Sequence, residues 1–407
     1  MVGGSVRDRE LGRYSPDLDL AVADDAAAVA REIAGTLKVP WFVLSERHPA
    51  YRVMGREGHV DVAALRGAGI ADDLAERDFT VNAMAVSLDG SEVVDPFDGL
   101  THLRQGRLVA VSERIFEDDP LRLMRAVRFA HILGLVPDAA LMRSIRMQAP
   151  LLVRAAAERV ATEMTLTLAE GRAAEAVRLW RDLGVLEVAL PEVVAAERLA
   201  PTLALLERLD DLLTRPAVWF PATAVPLVER LARPADGAVN RPVALRLAGL
   251  LHRLAPAEVE TTARRLKLSG EMLSLLRTVS RHYSEGGALP AAPTRRPAVL
   301  FLWATAPWEP EVILLEAATV VEGAAADDPS SMGLILGPAR RMMALWAERA
   351  IHGVPRPPLD GEALMRELEL ESGPLVGTAL RAVHLAWEAG EAATYDALLT
   401  VARSTLS

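Results

Sequence analysis

The stretch Gly3-Gly4-Ser5-Val6-Arg7-Asp8, followed after eight intervening residues by Asp17-Leu18-Asp19-Leu20-Ala21-Val22, decides the reading of this chain. Residues two apart on a strand share a face, so Asp17 and Asp19 are expected to project together. Two carboxylates a few ångströms apart repel unless a cation lies between them, and oxygen-only ligands favour Mg²⁺. Glycines let a backbone approach phosphate oxygens closely. Alone, a Gly-Gly turn is usually just a turn, and an Asp-x-Asp is usually a solvated strand end. Together they point to a nucleoside triphosphate held against a metal ion, arranged for nucleotidyl transfer by a two-metal route.

The chain has 407 residues, 51% of them hydrophobic, which is material for three or four compact units with cores of their own. It has no cysteine, so a disulfide framework and Cys-ligated zinc or iron–sulfur sites are excluded. With no signal-peptide pattern and no apolar run of about eighteen residues, the expectation is a soluble cytoplasmic protein that does not engage a membrane. A net charge of −10 weakly disfavours nucleic-acid binding, although charge distribution counts for more than the sum. Lys38 and Lys267 are the only lysines. The cationic groups are therefore almost all arginine, whose planar donors suit phosphates and base edges.

Apolar alternation predicts strands over Asp17–Ala23, Trp41–Leu44, Tyr51–Met54 and His59–Leu65, with a helix over Asp25–Leu37. Asp89-Gly90, between Asn82–Leu88 and Ser91–Asp95, predicts a hairpin. From Asp118 onward the pattern is almost entirely helical. Pro120 is placed at a helix start capped by Asp118 or Asp119. Further helices are expected at Pro137–Gln148, Ala157–Ala169, Ala173–Leu183 and through 200–285. Gly286-Gly287 with Pro290–Pro297, and His352–Pro358, read as connectors, with a helix restarting at Asp360–Leu368.

Two further segments carry chemistry. In Glu76-Arg77-Asp78-Phe79-Thr80-Val81-Asn82-Ala83, Arg77 is suited to phosphates and Asp78 to a ribose hydroxyl, with Asn82 as a further nucleotide contact. The plainer alternative is a salt-bridged loop entering a strand. In Phe116-Glu117-Asp118-Asp119-Pro120-Leu121-Arg122, Asp119 and Arg122 fall on one helix face, where an ordinary ion pair is the plain reading. Cytosine and adenine, however, each offer an amino donor beside a ring-nitrogen acceptor, whereas uracil and guanine present the reverse order. A carboxylate beside a guanidinium would thus select C and A without a nucleic-acid template.

These motifs resemble those of the class II tRNA nucleotidyltransferase and bacterial poly(A) polymerase family, within the DNA polymerase beta superfamily. Gly3–Asp8 with Asp17 and Asp19 is similar to its catalytic motif, and Arg77-Asp78 to its ribose-sensing motif. Asp95-Pro96-Phe97-Asp98-Gly99 resembles its hinge, and Asp118–Arg122 its base-templating motif, extended by Arg125 and Arg128-Phe129. Glu158-Arg159-Val160 with Glu163 resembles the motif that braces the template. The likeness is strong over about the first 190 residues, through Leu190-Pro191-Glu192, and loose beyond. Two features depart from the pattern. Glu76 stands where relatives have an Arg, and the chain opens directly at the glycine motif, which implies a start truncated relative to them.

The resemblance implies an α+β fold: a small mixed-sheet nucleotidyltransferase head at 1–112, then an all-helical neck at 113–172, body at 173–288 and tail at 289–407. It implies Mg²⁺ on Asp17 and Asp19 activating an RNA 3′-hydroxyl, with Gly3, Gly4, Ser5 and Arg7 cradling the triphosphate. Arg77, Asp78 and Asn82 would hold the nucleotide, and Asp119 and Arg122 would template the base. Asp8, Asp61, Arg125, Arg128, Glu158 and Arg159 are secondary candidates, Asp61 as a third carboxylate. The expected partners are the tRNA acceptor arm, CTP and ATP. Only sixteen residues separate Asp61 from Asp78; relatives that add CCA usually carry a flexible loop there, and those that add only CC commonly lack it. That implies CC addition, with full CCA addition, poly(A) synthesis or a non-catalytic RNA-binding relative as alternatives. Leu250-Leu251-His252-Arg253 is similar to a His-Asp phosphohydrolase segment with Arg253 in the Asp place, which cannot ligate a metal. His252 and His282 are then helix residues, and Trp219, Trp303, Trp308 and Trp387 core or interface anchors.

Overall fold

The computed structural model describes residues 1–23, 25–237, 239–290, 294–320 and 336–406, so the Pro290–Pro297 connector lies partly outside the described residues. The chain forms two compact units, one of Met1–Thr167 with Glu175–Pro191 and the other of Leu168–Ala174 with Glu192–Ser407. The fold is α+β, with its sheets confined to the first unit.

That unit begins with a short helix, α1 (Gly4–Glu10), and a four-stranded sheet in the order β1 (Leu18–Val22), β4 (His59–Ala64), β3 (Ala50–Met54), β2 (Trp41–Ser45). β1 and β4 run parallel; the other pairs are antiparallel. Between β1 and β2 runs α2 (Ala26–Leu37), whose Asp25 cap accepts from the amides of Ala27 and Ala28. Its buried Ala26, Ala30 and Ala34 repeat every four residues and pack with Leu20, Val53 and Val62. Small side chains on that stripe let the helix sit close on the sheet. Each strand lies within a residue or so of its predicted bounds.

The Asp89-Gly90 hairpin forms, but only Ala85–Val86 and Val93–Val94 pair. The regular helix runs over Arg122–Leu133, and the turn that leads into it begins at Pro120, where the extended Asp119 caps by accepting from Leu121 N on Oδ1 at 3.1 Å. One expectation needs correction: Pro137 is not helical. Val136–Pro137 pairs with Arg107–Leu108, and Asp138 caps the helix Ala139–Gln148 by accepting from Leu141 N.

The second unit is helical, with no sheet among its described residues. Its helix Arg241–Leu251 is buried almost throughout and packs on Ala196–Thr214, with Gly249 admitting the side chains of Leu205 and Leu206. Helix Gly361–Leu368, capped by Asp360, joins a separate core with Val383 and Leu398. Arg253 is exposed, while His252 is 3% exposed with Nδ1 2.7 Å from the Gly249 carbonyl. His282 packs edge-on to Phe301 beside Glu316. Trp308 is buried and donates to Ser274 Oγ, and Trp303 donates to Glu388 Oε2. Among the described residues no single helix is long and apolar enough to cross a membrane.

Candidate active site

A cavity of about 510 Å³ in the first unit is lined by Gly4, Arg7, Asp19, Arg66, Glu76, Arg77, Asp78, Asn82, Asp119, Leu121, Arg122, Arg125, Arg128, Phe129 and Arg159. Arginines outnumber carboxylates on its wall, so it favours a polyanion.

The glycine turn and the Asp-x-Asp strand form one piece. Gly3 has φ +68°, a left-handed value that glycine adopts freely, and a Cβ there would overlap Arg77 Nη1. Ser5 is buried, and its hydroxyl accepts from Asp19 N at 2.8 Å and donates to Asp17 O at 3.4 Å. Its place is therefore behind the cavity, tying α1 to β1. Asp17 precedes the strand and is half exposed, with His59 Nδ1 2.7 Å from its Oδ1. Asp19 faces the cavity and is in register with Asp61 on β4. Asp61 is forked by Arg52 Nε and Nη2 at 2.8 Å each.

Burial, and next the charge of Asp61, raise the Asp19 pKa above the usual carboxylate value, against smaller opposing effects of Arg77 and His59. A half-buried carboxylate left short of positive charge fits a divalent cation. Among the described residues no three His, Asp or Glu side chains form a metal-ligand group, and Asp19 is the carboxylate of the Asp-x-Asp motif that lines the cavity.

Several of the cavity arginines are held by carboxylates. Arg7 forks to Asp8 at 2.9 Å for each bond and donates to Asn82 Oδ1 at 2.6 Å. Arg77 donates to the buried Asp73, which also accepts from Arg66 N. Arg125 Nε donates to Asp78 Oδ2 at 2.7 Å, and Arg128 Nε to Glu163 Oε2 at 2.6 Å. Asp78 is 5% exposed and also accepts from Asn82 Nδ2 and Phe79 N. Burial pulls its pKa up, but the Arg125 charge and these hydrogen bonds outweigh it and hold the carboxyl below the usual range.

Asp119 and Arg122 line the same cavity but do not pair with each other. Asp119 is forked by Arg159 at 3.3 and 2.8 Å, and Arg122 Nη2 donates to the Glu76 carbonyl at 2.6 Å. The Glu76 carboxylate lies 3.7 Å from Arg66. Gly3, Ser5, Asp8, Asp17, Asp61 and Glu158 stand off the cavity wall, Glu158 exposed in the first turn of helix Ala157–Ala169. Arg66 and Asp73 were not singled out by sequence reasoning, because nothing local distinguishes them. Cross-strand alternation of charge could have flagged Arg52.

A family model described as "Poly A polymerase head domain" matches residues 1–109, and one described as "Probable RNA and SrmB- binding site of polymerase A" matches 134–197. A CC-adding tRNA nucleotidyltransferase of Geobacter sulfurreducens is 41% identical over 165 residues, 40% of this chain and 38% of that protein. The chain thus spans about two-fifths of such CC-adding relatives. An A-adding tRNA nucleotidyltransferase of Deinococcus radiodurans is 33% identical over 97% of this chain and 92% of its own length. The fold is that of a CCA-adding enzyme solved with ATP, at a TM-score of 0.73 and 20% identity, covering 100% of this chain and 89% of that one.

Proposed function

The chain belongs to the class II tRNA nucleotidyltransferase and bacterial poly(A) polymerase family, and from that premise we propose that it transfers a nucleotide from CTP or ATP to the 3′ end of tRNA. The observation that carries this reading is the convergence on one cavity of Asp19, an arginine array and the Asp119–Arg122 pair.

Asp17 and Asp19 would hold Mg²⁺, which supplies charge neutralisation at the triphosphate and a more acidic 3′-hydroxyl. Arg7 and Arg77, each held by a carboxylate, present fixed donors to phosphate oxygens and need no reorganisation when charge develops. Arg125 fixes Asp78, whose carboxylate stays ionised beside Asn82 to accept from a ribose hydroxyl. Asp119 and Arg122 read the base edge, which requires the base to share or displace Arg159 and the Glu76 carbonyl. The four-part division into head, neck, body and tail belongs to the same proposal, with the helical second unit as the RNA-holding part.

CC addition is the first specificity reading. It is supported by the segment between β4 and Arg77, a turn closed by Asp72 on Ala68 N followed by helix Ile70–Ala75, with no room for a long loop. A addition is the second, favoured by the relative that matches almost the whole chain. Incorporation of CTP and ATP, separately and together, into tRNA ending at the discriminator base and tRNA ending in CC decides between them. CC without A supports the first, A on the CC-ended substrate alone supports the second, and no incorporation with either overturns the proposal.

A further inference from the structure

Phe129 stands at the centre of the arginine array. Its ring centroid lies 5.3 Å from Arg7 Cζ, 5.1 Å from Arg125 Cζ and 4.4 Å from Arg128 Cζ. Phe79 meets it edge-on at 5.8 Å and 79°. The residue is only 5% exposed, yet it lines the cavity. Three neighbouring guanidinium groups repel one another. The carboxylates of Asp8, Asp78 and Glu163 each hold one of them by one side. An aromatic face is electron-rich and attracts a cation without consuming its hydrogen-bond donors, which stay available to a ligand.

We infer that Phe129 is a positioning residue for the polyphosphate of the incoming nucleotide. Its π system gathers Arg7 and Arg128 as neighbouring donors to linked phosphates, while Arg125 is kept on Asp78 by its own hydrogen bond, so a nucleoside gains nothing from the ring. This rests on the nucleoside-triphosphate reading of the cavity given above.

The test replaces Phe129 in the full chain by 4-fluoro-, 3,5-difluoro- and pentafluorophenylalanine, which drain the ring of electron density at nearly constant shape. KM and kcat are measured for whichever of CTP and ATP is incorporated, with inhibition constants for pyrophosphate and for the matching nucleoside. The expected result is a stepwise rise in KM and in the pyrophosphate constant, reaching about fivefold or more, with the nucleoside constant unmoved and kcat within about twofold. F129L should show the same loss and F129Y none. A flat fluorination series, or a nucleoside constant that rises in parallel, overturns the role of Phe129. Should the unsubstituted protein incorporate neither nucleotide, the reading beneath it fails instead, so the two failures are distinguishable.

Discussion

The Ser5 hydroxyl accepts a 2.8 Å hydrogen bond from the backbone amide of Asp19. The glycine turn and the Asp-x-Asp strand are therefore one rigid element, and the carboxylate that enters the cavity is aimed by a residue behind it. Ser5→Ala leaves a part-buried N–H without that partner, a change that costs about 1–2 kcal/mol. We expect a lower melting temperature and about tenfold slower nucleotide incorporation at saturating substrate. An unchanged turnover would show that Asp19 is aimed by something else.

Gly3→Ala combines two penalties. A φ of +68° with ψ −132° costs a non-glycine residue about 1–3 kcal/mol, and the new methyl displaces the Arg77 guanidinium. KM for the nucleotide should rise more than kcat falls, since Arg77 is assigned to the phosphates. Steady-state kinetics read the split, and a pure kcat effect would contradict that assignment.

Asp78 and Arg125 form a buried pair in which the carboxylate has 5% exposure. Asp78→Asn keeps the shape and removes the charge, leaving Arg125 with less compensation. The expected destabilisation is about 3 kcal/mol, measured by chemical denaturation. Loss of activity without loss of stability would mean that the pair serves the ribose alone.

In the second unit, burial depresses the His252 pKa to about 4, against an opposing hydrogen bond to Gly249 O. The folded pKa lies below the unfolded value, so the unfolded chain binds the extra proton first. Stability is full above about pH 6.5 and declines as pH falls toward about 4. Between pH 7 and pH 5 this one group should remove about 2 kcal/mol. His252→Gln, neutral throughout, should flatten the dependence of melting temperature on pH in that window. Equal slopes for the two proteins would place the proton elsewhere.

The strands and the first long helix were legible because a buried face leaves a period in the sequence, as with Leu20, Val53 and Val62 beneath Ala26, Ala30 and Ala34. The motif residues were legible as types, and most of them do line one cavity. Their partners were not. The grip of Arg159 on Asp119, the Glu76 carbonyl under Arg122 and the three guanidinium groups around Phe129 all join residues distant in the chain. Composition and spacing carry no signal for such meetings.

The central claim is that the Asp17–Asp19 pair drives template-independent nucleotidyl transfer to an RNA 3′ end. Its most direct test is incorporation of labelled CTP and ATP into 3′-truncated tRNA by the unsubstituted protein and by Asp19→Ala, with the fold of both checked by thermal melting. The account predicts Mg²⁺-dependent extension by the former and a loss of about a thousandfold or more in the latter at an unchanged fold. Extension by Asp19→Ala at a comparable rate would contradict it.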